Sequence, residues 1–191
     1  TQTDGQLTHG YDNVTEAIKD SCNVFFYTVA DNLGIRKLME YAKNFGLGES
    51  TGIELSETTG NMANPDNHLN YDVDSWVDGD TVQAGIGQSD SMFTPLQLAE
   101  YCAAIANGGT RHSAAILKSV RSYDYSRQLY QKETEVLSTV DSADYNWAAV
   151  QRGMYLMAND ITSSSSTVYY ALSNYSYNGV SLPVAAKTGT S

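Results

Sequence analysis

Thr94-Pro95-Leu96-Gln97-Leu98-Ala99-Glu100-Tyr101-Cys102-Ala103-Ala104-Ile105-Ala106-Asn107-Gly108-Gly109 encodes both ends of a helix in its residue order. Thr94 is an N-cap type, and Pro95 suits the first helical position, where its missing N–H goes unused. Gln97 stands where a side chain can reach back to the cap, and Gly108-Gly109 stops the alanine-rich run. The stretch predicts an α-helix ending at Ala106.

Upstream, Asn13-Val14-Thr15-Glu16 has the same capping-box form and starts a short helix toward Asp20. Ser21-Cys22-Asn23 follows at a helix boundary. A second helix is expected over 24–32, and its start, Val24-Phe25-Phe26-Tyr27, is apolar all round, which implies burial on most faces. Ile35, Leu38, Met39, Ala42 and Phe45 recur at helical spacing, with Gly46 at the left-handed cap position. From 48 to 80, Gly, Asn, Asp and Pro break every period, leaving an irregular excursion with one short strand at 51–55.

Downstream, 115–120 and 128–133 have strand composition, and a helix from about 142 carries Trp147, Val150, Met154 and Met157 on one face. The serines at 163–166 and the tyrosines at 169, 170, 175 and 177 read as a flexible surface loop. Residues 180–188 then alternate as a strand.

The 191 residues carry eleven Lys+Arg against twenty-two Asp+Glu, a net charge of −11. Such a chain repels phosphate backbones, so no nucleic-acid partner is expected. The length suits one domain, and the 41% hydrophobic content includes fourteen tyrosines, so the core is expected to be lean. Charged residues are only 17%, with Ser, Thr, Asn and Tyr in their place, a surface that suits an extracytoplasmic protein. Cys22 and Cys102 lie among apolar neighbours in helical segments and are expected as reduced, packed thiols. The longest uncharged stretch, 161–186, is rich in Ser, Tyr and Asn and does not qualify as a membrane span. His9, His68 and His112 have no second ligand at a metal spacing, and no metal is predicted.

Two short elements point to chemistry through their order. Ser21-Cys22-Asn23 falls at a helix end, and Lys187-Thr188-Gly189-Thr190 closes a late strand. Taken alone, the first is a pair of capping types and the second an edge strand with a solubilising lysine. In this order they resemble the transpeptidase domain of penicillin-binding proteins, whose sites carry S-x-x-K, S-x-N and K-T-G elements. The resemblance extends to His9-Gly10, Glu16-Ala17-Ile18, Phe45-Gly46-Leu47-Gly48, Thr51-Gly52-Ile53-Glu54-Leu55, Gly85-Ile86-Gly87-Gln88, Thr94 to Ala99 and Ile105 to Gly109. It covers nearly the whole chain and is weakest over 110–180.

The resemblance implies an α/β fold of the penicillin-binding-protein and serine β-lactamase kind. The chain would be a partial domain spanning 1–191, with a helical part at about 10–160 and the K-T-G strand at about 180–190. It further implies a D,D-transpeptidase, of class B in preference to class A, that crosslinks D-Ala-D-Ala stem peptides of peptidoglycan through an acyl-serine, binds β-lactam antibiotics and needs no cofactor. By the family's pattern Ser21 relays a proton to the leaving group, and Asn23 binds the substrate amide. Lys187 supplies positive potential, Thr188 and Thr190 bind the substrate carboxylate, and Gly189 lets the substrate approach. The backbone N–H of Thr190 is one oxyanion donor, a type of group worth roughly 3–4 kcal/mol in hydrolases.

One element is missing. None of the six lysines has a serine three positions before it, the places being held by Glu16, Gly34, Glu40, Ala115, Leu129 and Val184. The expectation is therefore a piece of a longer enzyme, inactive alone, whose nucleophile lies upstream. An anchor outside the chain would hold that enzyme on the extracytoplasmic face of the membrane, among other cell-wall synthesis proteins. The rival readings are a β-lactamase, D,D-carboxypeptidase or β-lactam sensor on the same fold, and a non-catalytic module binding peptidoglycan or a partner.

Overall fold

A computed structural model describes residues 9–68, 75–162, 166–172 and 175–189, together with the backbone of 2–3 and 6–7. In chain order the elements are β1 (Gln2–Thr3), β2 (Gln6–Leu7), α1 (Val14–Lys19), α2 (Asn23–Leu33), α3 (Ile35–Asn44), α4 (Asp78–Ala84) and α5 (Pro95–Ala106). There follow β3 (Thr110–His112), β4 (Ser119–Arg121), β5 (Gln128–Gln131), β6 (Val136–Thr139), α6 (Asp144–Asn159), α7 (Ser166–Leu172), β7 (Ser176–Tyr177) and β8 (Val180–Ser181). The described strands pair antiparallel in twos, β1 with β2, β3 with β6, β4 with β5 and β7 with β8. The chain divides into two compact units, 1–32 with 142–191, and 33–141.

The first unit is organised by α6. α1 starts at the expected capping box, with Asn13 Oδ1 accepting from Glu16 N at 3.1 Å and Glu16 Oε2 accepting from Asn13 N at 3.0 Å. It packs on α6, where Thr15 Oγ1 donates to Ala149 O at 2.9 Å and Ala17, Ile18, Met157 and Ala158 are buried. The two helices approach over Gly153, where a Cβ would lie 2.8 Å from Ile18 Cβ and 2.9 Å from the Thr15 carbonyl oxygen. α7 packs on the same helix. β7 and β8 form a hairpin whose turn, Asn178-Gly179, has positive φ at both positions, as a two-residue hairpin turn requires.

In the second unit α5 has the expected box, with Thr94 Oγ1 accepting from Gln97 N and Gln97 Oε1 accepting from Thr94 N. The rest of Gln97 is a brace. Fully buried, it donates from Nε2 to the carbonyls of Glu49 and Thr59, each at 2.7 Å, and so fastens the irregular loop to the helix. Arg111 on β3 is buried against Glu100 of α5, Nε to Oε2 3.0 Å, and also donates to the Ser50 carbonyl. The buried apolar residues here are mostly alanines, so this lean core is held largely by satisfied polar groups.

Several expectations change. α2 buries only Ala30, and Val24 is 72% exposed, so its apolar start is not enclosed by the described residues. No strand forms at 51–55, because the backbone of Thr51 is taken by the Glu57 carboxylate and by Ala114 N. The end of the excursion is the first turn of α4, begun by the Asp80 carboxylate accepting from Val77 N at 2.9 Å. The tyrosine-rich stretch holds a helix and a strand, α7 and β7, with 163–165 outside the described residues. Strand pairing after 180 ends at Ser181, with Leu182 N still donating to Tyr175 O at 3.1 Å, because from Val184 on the backbone bonds to α6 instead of to another strand. Both cysteines are free, but Cys102 is exposed rather than packed. No helix among the described residues is long and apolar enough to cross a membrane.

Candidate active site

α1 ends in a chain reversal at which Cys22 N donates to Ala17 O at 2.9 Å and Ser21 N to Ile18 O at 3.2 Å. This pattern satisfies the last carbonyls of the helix and places the residue after the C-cap in the left-handed region. α3 ends in the same way at Gly46, φ +85°, and α5 at Gly108, φ +80°. At the end of α1 the slot holds Ser21, φ +53°. A Cβ there costs about 1 kcal/mol over glycine, so the hydroxyl is kept at the expense of local stability.

The other half of the site comes from 182–189. Asn159 Nδ2 donates to Val184 O at 2.8 Å, Ala186 N donates to Met154 O at 3.0 Å, and Thr188 N points to Met157 Sδ at 3.2 Å. Alternate residues thus bond to α6, which fixes the register of the segment. Lys187 Nζ reaches Ser21 Oγ at 2.8 Å, and it also donates to Thr188 O at 3.0 Å and Thr188 Oγ1 at 3.3 Å. Thr188 Oγ1 lies 3.4 Å from Ser21 Oγ. Partial burial of the ammonium lowers the Lys187 pKa from its ordinary value, although the residue remains exposed overall.

The structure therefore brings Ser21, Lys187 and Thr188 together. Asn23 opens α2 beside them in sequence, and its exposed side chain makes no hydrogen bond to another described residue. Gly189 is exposed with open space where a Cβ would project. Thr190 lies outside the described residues. An ammonium that donates to two hydroxyls in a polar cluster polarises both, and once it has given up a proton the neutral amine can accept one from either.

A second cluster was not visible in the sequence. The ligand atoms of His9, Asp12 and Cys22 all lie within 4.8 Å of one another. Asp12 Oδ2 is buried with no hydrogen-bond partner among the described residues, 4.0 Å from His9 Nδ1. Nitrogen, carboxylate oxygen and thiol sulfur form a donor set of the kind that suits a zinc ion. The absence of a metal spacing in the sequence reflects how α1 folds back to bring 9, 12 and 22 together.

The sequence matches the penicillin-binding protein transpeptidase domain over residues 1–191. The chain belongs to that family. This transpeptidase-family chain is 32% identical over 186 residues to the peptidoglycan D,D-transpeptidase MrdA of Haemophilus influenzae, a match that covers 95% of this chain and 27% of that protein. It is 30% identical over 174 residues to penicillin-binding protein H of Bacillus subtilis, covering 80% of this chain and 23% of that protein. Among solved structures it resembles the penicillin-binding protein PBP2 of Helicobacter pylori in complex with MreC, with TM-score 0.72 and 26% identity over 95% of this chain and 31% of that one. The fold is that of the penicillin-binding-protein transpeptidases. The chain thus spans about a quarter of the length of these curated relatives.

Proposed function

We propose that the chain is part of a peptidoglycan D,D-transpeptidase that crosslinks D-Ala-D-Ala stem peptides through an acyl-serine intermediate. The observation that carries this reading is the 2.8 Å hydrogen bond from Lys187 Nζ to Ser21 Oγ, with Ser21 in a backbone conformation that serine adopts only at a cost. Acyl transfer needs an activated serine, a proton path to the departing amine and donors where oxyanion charge develops. Ser21 supplies the proton path, and Lys187 supplies positive potential. Asn23 binds the substrate amide. Thr188 and Thr190 hold the substrate carboxylate, and Gly189 admits the substrate backbone.

The acylated serine belongs to an S-x-x-K element, and no such element occurs among the 191 residues. β-Lactams would acylate the same serine. These steps call for no cofactor. The substrate polymer places the reaction on the extracytoplasmic side of the membrane. The Helicobacter pylori relative that assembles with MreC motivates a partner among cell-wall synthesis proteins.

Labelling by a fluorescent penicillin tests the reading. The full-length gene product is expected to label at one serine, with Lys187→Ala slowing the reaction by about 10²-fold or more. Labelling of the isolated 191 residues, or an unchanged rate in the full-length variant, would overturn it.

A further inference from the structure

Met157 is fully buried on α6, and its sulfur accepts the Thr188 N–H at 3.2 Å. Two other bonds tie the same segment to α6, and both use stronger groups. Asn159 Nδ2 donates to Val184 O at 2.8 Å, and Ala186 N donates to the Met154 carbonyl at 3.0 Å. A thioether is a weak acceptor, yet it stands at the end of the row next to the reacting side chains. Neither packing nor helix propensity calls for sulfur there, since leucine fills a similar volume and favours a helix as well. What leucine lacks is the acceptor.

The place of this bond gives it leverage. The planar peptide that carries the Thr188 N–H joins the α-carbons of Lys187 and Thr188, so an acceptor that fixes this plane fixes the directions in which both side chains leave the backbone. Thr188 in turn receives the Lys187 ammonium on its carbonyl at 3.0 Å and on its hydroxyl at 3.3 Å, and the same ammonium reaches Ser21 Oγ at 2.8 Å. Complete burial holds the Met157 side chain among packed neighbours, so the flexibility that methionine shows at looser sites is not available to it.

We propose that Met157 is a positioning residue for acyl transfer, whose thioether sulfur orients the Lys187–Thr188 peptide and thereby aims the Lys187 ammonium at Ser21. The proposal rests on the transpeptidase reading for the reaction that it serves. Fully buried, Met157 acts only through Thr188 and Lys187. A change that keeps its volume and removes its sulfur therefore slows the reaction of bound penicillin and leaves the binding of penicillin as it was.

The test is Met157→Leu in the full-length protein, alone and combined with Lys187→Ala, with acylation followed as a function of penicillin concentration. The exchange conserves volume, which buried sites tolerate best. Met157→Leu is expected to lower the maximal acylation rate about tenfold with the half-saturating concentration unchanged, because a misaimed ammonium alters the reacting geometry and not the binding. In the Lys187→Ala background the same change should slow acylation by no more than about twofold, whereas a residue that merely supports the fold slows both backgrounds alike. Deuterium exchange over 182–189, read with no penicillin present, should quicken in Met157→Leu. Exchange at the wild-type speed, a wild-type acylation rate in Met157→Leu, or an equal loss in both backgrounds would overturn the proposal. Failure of the wild-type protein to label would instead sink the transpeptidase reading, and the exchange measurement would still test the bond.

Discussion

Lys187 Nζ and Ser21 Oγ lie 2.8 Å apart across 166 positions of sequence because both are hung on one helix. Ser21 terminates α1, which packs on α6, and Lys187 belongs to a segment whose backbone bonds to Met154 and Asn159 of α6. α6 is therefore the gauge that sets their separation. Changes on α6 that touch neither residue should alter the site.

Gly153 sets the closeness of α1. A Cβ at this position would meet Ile18 and the Thr15 carbonyl below 3 Å, so Gly153→Ala must push α1 outward and carry Ser21 with it. Overpacking of this kind costs about 1–3 kcal/mol. A displacement near 1 Å lowers a positioned reaction by about 10²-fold. Penicillin acylation of the full-length variant should fall by more than its loss of thermal stability explains.

Asn159 sets the register of the other half. Its Nδ2 donates to Val184 O and to Tyr155 O, each at 2.8 Å. Asn159→Ala frees the segment that presents Lys187, at a cost of about 1 kcal/mol. Slower acylation with a melting temperature lowered by only about 2–4 °C is the expected pair of results, read by stopped-flow labelling and calorimetry.

The pKa of Lys187 makes a stability prediction with a definite sign. Burial lowers it from 10.5, so the unfolded chain binds the proton more tightly than the folded one. Stability is therefore reduced below the native pKa and recovers as pH rises through it toward 10.5. Lys187→Met should melt at or slightly above the wild-type temperature at neutral pH, and this advantage should shrink as the solution becomes alkaline. The same variant should lose acylation. Scanning calorimetry across the pH range checks the first statement and labelling the second.

Glu100 and Arg111 test the lean core of the second unit. Their side chains are 8% and 6% exposed, and burial raises the Glu100 pKa even though Arg111 opposes the shift. Arg111→Met leaves a buried carboxylate unpaired and should cost about 3–5 kcal/mol. Glu100→Leu/Arg111→Met together should cost less than Arg111→Met alone, measured by urea denaturation.

The local parts of this architecture were legible in the sequence. The capping boxes at Asn13 and Thr94 and the αL glycine at Gly46 involve residues a few positions apart, and each forms as read. Elements that depend on distant partners were less legible. Residues 51–55 have strand composition, but Glu57 and Ala114 take the Thr51 backbone, a contest that composition does not reveal. α4 is short and contains Gly79, so its periodicity is too brief to see. The pairing of Ser21 with Lys187 came from motif order through a family resemblance, since no spacing rule links residues so far apart. No motif linked His9, Asp12 and Cys22 to one another, and only the folded α1 brings them together.

The central claim is that Ser21 and Lys187 act as one unit. A double-mutant cycle on penicillin acylation by the full-length protein, with Ser21→Ala, Lys187→Ala and both together, measures their coupling directly. The expected result is that each single change slows acylation by about 10²-fold and that the double variant is little slower than the slower single one. Losses that multiply in the double variant would show two independent residues and contradict the account.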